Sequence, residues 1–257
     1  MREKIIRKVG LARVLSKRGY CSRTRAAELI RSGRVSVNGR IRRDPEAPTA
    51  SGDRIAVDGN PIRSQEKIYL MLNKPRGIVS TASDEKARKT IYDLESVATW
   101  HDQAKTGTAR WIAPVGRLDK ASEGLLLLTN DSKWGARIAA PETHLVKIYH
   151  VQITGIADEE CLRRLVHGVT AEDGALLRAK QASLLRAGAK NCWLEVVLEE
   201  GKNRQIRRMV EALGAEVLRL VRVAIGPLKL GDLAKGSCRA LTREEKRTLD
   251  RAMERKS

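Results

Sequence analysis

The hydrophobic pattern changes period several times along the chain. Leu11, Val14 and Leu15 recur at helical spacing over residues 11–18, and Gly19 offers the left-handed turn that ends such a helix. A second helical pattern starts at Ser22, an N-capping residue type. It turns Ala26, Leu29 and Ile30 inward and stops at Gly33. The period then drops to two. Val35-Ser36-Val37 alternates, Asn38-Gly39 is a strong hairpin turn, Arg40-Ile41 begins the return, and 54–57 follows as another short strand. Further on, 67–72, 125–128, 145–154, 192–198 and 217–223 read as strands. The pattern predicts helices over 90–97, 132–140, 158–166 and 203–213, and Thr242-x-x-Glu245 is a capping box for the last helix. Residues 169–186 suggest a strand pair around Glu172-Asp173-Gly174, and 80–90 and 99–110 read as polar loops. Strands and helices alternate without a regular βαβ period, and hairpins are frequent. The fold class this predicts is α+β, with a mixed, mainly antiparallel sheet.

Charge divides the chain. The formal net charge is +19 over 257 residues, and residues 1–67 carry about half of that excess. This marks a basic N-terminal module and a surface that attracts polyanions, nucleic acid before membrane. The predicted domains are 9–58, a linker at 59–66, and 67–257. No apolar run approaches the roughly 20 residues of a transmembrane helix, and the N-terminus lacks a signal-peptide core, so the expected location is cytoplasmic. The four cysteines are far apart and the four histidines form no HExxH or HxxxH pair. That spacing argues against a metal site or a disulfide framework. Phe is absent and aromatics are 3%, too few for a broad base-stacking platform.

The stretch richest in candidate chemistry is Gly116-Arg117-Leu118-Asp119-Lys120-Ala121-Ser122-Glu123-Gly124, which runs into four leucines and then Thr129-Asn130-Asp131. Asp119 falls on a loop feeding a buried strand, where a carboxylate can be held rigidly and partly desolvated. Alone it could equally cap a turn. A second cluster is Gly201-Lys202-Asn203-Arg204-Gln205-Ile206-Arg207-Arg208-Met209, which stacks Arg204 on Arg207 and Arg208 if a helix starts near Asn203. Walker A, zinc-deaminase and G-x-S-x-G patterns are absent.

Two resemblances draw these pieces together. Leu11-x3-Leu15-x3-Gly19-x2-Ser22-Arg23, followed by Ala26-x2-Leu29-Ile30-x2-Gly33-x-Val35-x-Val37-Asn38-Gly39, resembles the alpha-L RNA-binding motif, a small domain shared with a small-subunit ribosomal protein. That resemblance implies phosphate contacts from Lys17, Arg18, Ser22, Arg23, Arg25 and Arg34. Lys74-Pro75-x-Gly77, the Asp119 stretch and the Arg207 stretch, in that order, resemble the ribosomal-RNA pseudouridine synthases that each modify one site. Tyr149, in Lys147-Ile148-Tyr149-His150-Val151, fits that family's active-site tyrosine. The family implies isomerisation of a uridine in rRNA at its N1–C1′ bond, without a cofactor and with the base flipped out of its stack. Asp119 would be the catalytic carboxylate, as nucleophile at C1′ or as base at the ribose. Arg207 would pair with Asp119, Tyr149 would pack on the target base, and Arg117 would enter the space the uridine leaves. Arg204 would contact RNA. Lys74 and Pro75 read as scaffold, and His150 as structural on the other face of its strand. The partner is rRNA or an assembling ribosomal subunit, the large one slightly favoured, and a monomer is the family's default. A catalytically silent RNA-binding factor on the same fold is the alternative, but such a factor should have lost at least one of Asp119, Tyr149 and Arg207.

Overall fold

A computed structural model describes residues 9–50, 52–63, 65–81, 88–101 and 111–254. Contacts divide the chain into two units. One takes the residues up to Ile68 with 98–113 and 129–133; the other takes 69–97, 114–128 and the remainder from 134.

The first unit follows the predicted pattern closely. Helices Leu11–Lys17 and Arg23–Arg31 pack on each other, and the Ser22 hydroxyl caps the second by accepting from the Arg25 amide at 3.1 Å. Strands Val35–Val37 and Arg40–Arg42 form a hairpin across Asn38 and Gly39, both at positive φ (53° and 82°), as the two-residue primed turn requires. Ile55–Val57 pairs on the other side of Val35–Val37. Leu11, Leu15, Ala26, Leu29, Ile30, Val35, Val37, Ile55 and Val57 close one core. The apolar positions of both periods thus meet in one place.

The second unit is built on a nine-stranded sheet. Its main path runs Gln181–Ala187, Asn191–Leu198, Lys147–Thr154, Val217–Ile225, Glu123–Thr129, Tyr69–Lys74, Cys238–Ala240. Four of its junctions are antiparallel, and the junction of 217–225 with 123–129 is parallel. The fold is α+β, as expected. Helices Glu159–His167 and Gln205–Glu211 contribute Leu165, Ile206, Met209 and Val210 to one core, with Val151, Ile153, Leu194, Val196 and Leu220 from the sheet. Helices Ser132–Ala139 and Arg243–Glu254 contribute Trp134, Ile138, Leu249 and Met253 to a second core, with Leu125, Leu127 and Ile225. Thr242 and Glu245 form the predicted reciprocal cap, at 3.1 and 2.7 Å. Toward the Gln181–Ala187 edge one face keeps His150, Gln152, Trp193 and Arg219 partly exposed, whereas Glu123–Thr129 is buried on both faces.

Three expectations need correction. Residues 90–97 do not form one helix: Thr90 caps a 3-10 turn at Ile91–Asp93, Leu94 is extended, and an α-helix runs Glu95–His101. That helix occupies the start of the predicted 99–110 loop. The rest of that loop, and most of 80–90, lies outside the described residues. The pair in 169–186 is only Val169–Thr170 with Leu176–Leu177, and Gln181–Ala187 joins the large sheet instead. Among the described residues, no helix is long and apolar enough to cross a membrane.

Candidate active site

A cleft of about 400 Å³ opens beside Tyr149 of strand Lys147–Thr154. Its walls draw on both cores: Tyr149, Leu198, Ile206 and Leu220 from one, and Val115, Ile138 and Ile225 from the other. Its polar lining includes Arg117, Asp119, Lys147, Lys202, Arg204 and Arg222. The size suits one nucleotide rather than a helix of RNA.

The Asp119 loop is tied down along its backbone. The Ser80 hydroxyl donates to the Leu118 carbonyl at 2.9 Å and accepts the Leu118 amide at 3.2 Å. The Lys74 ammonium donates to the carbonyls of Asp119 (3.2 Å), Ser122 (2.8 Å) and Pro75 (3.0 Å). The Gly77 amide takes the Lys120 carbonyl at 2.7 Å, and the Arg207 guanidinium takes that of Ala121 at 3.1 Å. Every carbonyl from 118 to 122 therefore has a donor from another segment. This gives Lys74-Pro75-x-Gly77 its structural meaning, because two of its residues hold the loop. Lys74 is wholly buried, and burial lowers its pKa to about 8 although Asp119 and Glu123 oppose the shift.

The exit of the loop is fixed as firmly. Glu123 is buried and pairs with Arg219 (3.1 Å) and Lys235 (2.6 Å). Burial alone would raise its pKa; the two cations outweigh it, and the group ends below its ordinary value. Gly124, at φ 101°, pairs with Arg222 across the parallel junction. A Cβ there would lie 2.3 Å from the Arg222 carbonyl oxygen, so only glycine lets the two strands meet.

The structure brings Arg117, Asp119, Tyr149 and Arg204 to one cleft, with two corrections to the expected geometry. Asp119 is exposed at the cleft mouth rather than partly desolvated, and its carboxylate bonds to none of the described residues. Arg207 makes no direct pair with it. The Arg207 guanidinium reaches the carbonyls of Ala121 and Val217 (3.2 Å), which occupies both terminal nitrogens. Burial, then the like charge of Arg204, lower the Arg207 pKa, while Asp119 raises it. Arg207 thus bears on Asp119 through the loop it clamps. Helix 205–211 starts later than expected because Arg204 sits in the left-handed region at φ 48°, an uncommon state for a side-chain-bearing residue and one found near functional sites. Arg208 turns away to pair with Asp173. His150 faces Glu195 at 3.5 Å on the open side of the sheet, as expected.

Two cleft residues were not anticipated from the sequence. Lys147 precedes Tyr149 by two and shares its side of the strand. Arg222 is the direct cross-strand partner of Tyr149. A signal for Arg222 existed: it falls in register with buried Leu220 and Ala224, where a charge is out of place unless it has work to do.

The basic residues of the first unit sort into two groups. Arg18 donates to the carbonyls of Ile62 (3.1 Å) and Asp53 (3.2 Å), Arg25 pairs with Glu28, and Arg34 forms a two-pronged pair with Asp58. Lys17 lies among Arg13, Arg23 and Lys133. Burial and then these like charges lower its pKa, which marks an uncompensated positive cluster.

Comparison with known proteins places this fold and its cleft in a class of RNA-modifying isomerases. The profile of RNA pseudouridylate synthase matches residues 68–212, and that of the S4 domain matches 9–55. The ribosomal large subunit pseudouridine synthase B of Bacillus subtilis (strain 168) is 36% identical over 241 residues, covering 93% of this chain and 94% of that protein. An uncharacterised RNA pseudouridine synthase of Aquifex aeolicus (strain VF5) is 37% identical over 252 residues, covering 95% of each. A crystal structure of a pseudouridylate synthase superposes with TM-score 0.63 at 29% identity, over 94% of this chain and 99% of that one. The chain belongs to the RNA pseudouridylate synthase family and carries an N-terminal S4 domain.

Proposed function

We propose that the protein converts one uridine of ribosomal RNA to pseudouridine, the large subunit being favoured, with Asp119 as the catalytic carboxylate. One observation carries this reading. Three acids line the cleft; Glu199 pairs with Lys180 and Glu200 with Lys202, and only Asp119 is left without a cation in contact. It is thus the available carboxylate, on a backbone that cannot shift. The substrate itself would bury it, raising the strength of its interactions when the cleft closes over a flipped nucleotide.

In this reading Asp119 either attacks C1′ or removes a ribose proton, and both roles need the ionised form. The clamped carbonyls keep it aimed. Tyr149 stacks on the base. Arg117, exposed at the mouth and bonded to none of the described residues, fills the gap in the RNA stack. Arg204 and Lys202 meet the backbone phosphates beside the target. The S4 domain adds affinity through Lys17 and Arg23, two of the bases its own acids leave unpaired. The large-subunit preference rests on the similarity to the ribosomal large subunit pseudouridine synthase B of Bacillus subtilis. The reaction needs no cofactor, and the setting is cytoplasmic.

The test is Asp119→Asn. The side chain is exposed and makes no internal bond, so the fold is unaffected. Conversion in a purified rRNA assay falls by at least roughly 10³-fold while RNA affinity stays within a few-fold. A variant that still isomerises uridine at the wild-type rate removes Asp119 from the chemistry.

A further inference from the structure

One buried donor of the cleft lining has no acceptor among the described residues. Arg222 is only 6% exposed, and its Nε donates to the Leu125 carbonyl at 2.7 Å, which fixes the guanidinium plane. Its Nη2 is buried without a hydrogen-bond partner, and the side chain lines the cleft. No carboxylate pairs with it: Glu123 is held by Arg219 and Lys235, Glu199 by Lys180, and Glu200 by Lys202. Lys147 lies beside it, with its ammonium on the Glu199 carbonyl at 3.2 Å. Burial, and then the charge of Arg222, lower the Lys147 pKa. Two cations therefore share one wall next to Tyr149 with no carboxylate in contact with either among the described residues. A buried, unpaired charged donor is costly, and such a group persists where a ligand supplies the acceptor.

The isomerase reading, on which this inference rests, supplies an acceptor of that kind. When N1–C1′ breaks, the bonding pair stays with the ring, and uracil departs as its N1 anion with charge spread onto O2 and O4. This holds whether Asp119 forms an ester at C1′ or takes a ribose proton that is later returned. The ring turns, C5 bonds to C1′, the C5 proton leaves to a base, and N1 regains a proton. The ring is anionic only between the two bond events. We propose that Arg222, through its free Nη2 and with Lys147 beside it, binds an oxygen of the departed uracil anion and holds the ring while it turns. Such a donor strengthens as charge develops and does little for the bound neutral uridine.

Arg222→Gln tests this on an rRNA fragment carrying either uridine or 5-fluorouridine at the target. Fluorine withdraws electrons, so that ring leaves more easily and needs less help. With saturating protein, the cleavage step on uridine slows by roughly 10²-fold, as for loss of one oxyanion donor. RNA Kd stays within about threefold, and the defect shrinks several-fold on 5-fluorouridine. Equal defects on both rings would mean a merely structural role and overturn the proposal. So would a wild-type rate, or a loss confined to Kd with a shallower salt slope, which marks a phosphate grip. If Arg222→Gln does not melt cooperatively, Arg222→Lys, which keeps the cation and loses the fork, decides by the same ratio. Failure of the wild-type protein to convert uridine at all would overturn the isomerase reading, whereas an active wild type with an unaltered variant overturns the Arg222 proposal alone.

Discussion

Lys74→Met separates holding the catalytic loop from holding the fold. The lysine is wholly buried and its ammonium serves three carbonyls. Methionine leaves the Pro75 and Ser122 carbonyls unpaired, while Asp119 keeps the Ser122 amide at 3.0 Å. Two orphaned acceptors cost about 1–3 kcal/mol each. Against this, the variant relieves the burial of a charge. The fall of the Lys74 pKa from 10.5 to about 8 corresponds to about 3 kcal/mol of such cost. The terms largely offset, about 2–6 against about 3 kcal/mol, so stability falls by no more than about 3 kcal/mol and Tm by under about 12 °C. Catalysis has no such offset. A loop freed by about 1 Å loses on the order of 10²-fold in rate. Lys74 is sealed from solvent, so RNA affinity is unchanged. Single-turnover release of tritium from C5-labelled uridine, beside a thermal melt and a binding titration, reads all three. A wild-type rate would refute the role of Lys74 in placing Asp119, and a rate loss matched by collapse of Tm would assign it to folding instead.

The same ammonium sets a pH limit. Its folded pKa, about 8, lies below the ordinary 10.5, so between these values the unfolded chain binds the extra proton and this group's contribution to stability rises with pH. Activity moves the other way, falling as pH climbs through about 8 because the neutral amine has fewer donors; a pH–rate profile shows this limb in the wild type and not in Lys74→Met. Gly124→Ala forces a Cβ against the Arg222 backbone at an unfavourable φ and destabilises by more than about 3 kcal/mol, read by denaturant titration. In the S4 domain, Lys17→Gln with Arg23→Gln flattens the salt dependence of RNA binding by about 1.5 in log–log slope. Arg34→Gln, whose partner Asp58 already neutralises it, changes that slope by less than half as much in the same titration.

The sequence made local structure legible wherever one signal was enough. Asn38-Gly39 could only turn, Ser22 could only cap, and 125–128 could only be buried. The Asp119, Tyr149 and Arg204 positions were found because their motifs are contiguous. What stayed hidden was carried by pairings distant in the chain. The parallel junction of Gly124 with Arg222 joins residues almost a hundred apart, and nothing near either position announces the other. Arg222 therefore went unassigned, although its register with Leu220 and Ala224 was a clue. The Arg207 pairing was misjudged for a related reason. Charge complementarity with Asp119 was visible, but backbone carbonyls have no letters in a sequence, and two of them capture the guanidinium. The break at Leu94 was also unreadable, since the capping box that makes the 3-10 turn overlaps a plausible helix start.

The central claim is that this chain isomerises a defined rRNA uridine through Asp119. The direct measurement is a pseudouridine map of rRNA from cells lacking the gene, complemented with wild type or with Asp119→Asn. The account predicts that one site, in the large subunit, loses pseudouridine without the gene, regains it with the wild-type chain, and stays uridine with the variant. An rRNA map unchanged by deletion, or one restored equally by Asp119→Asn, would contradict it.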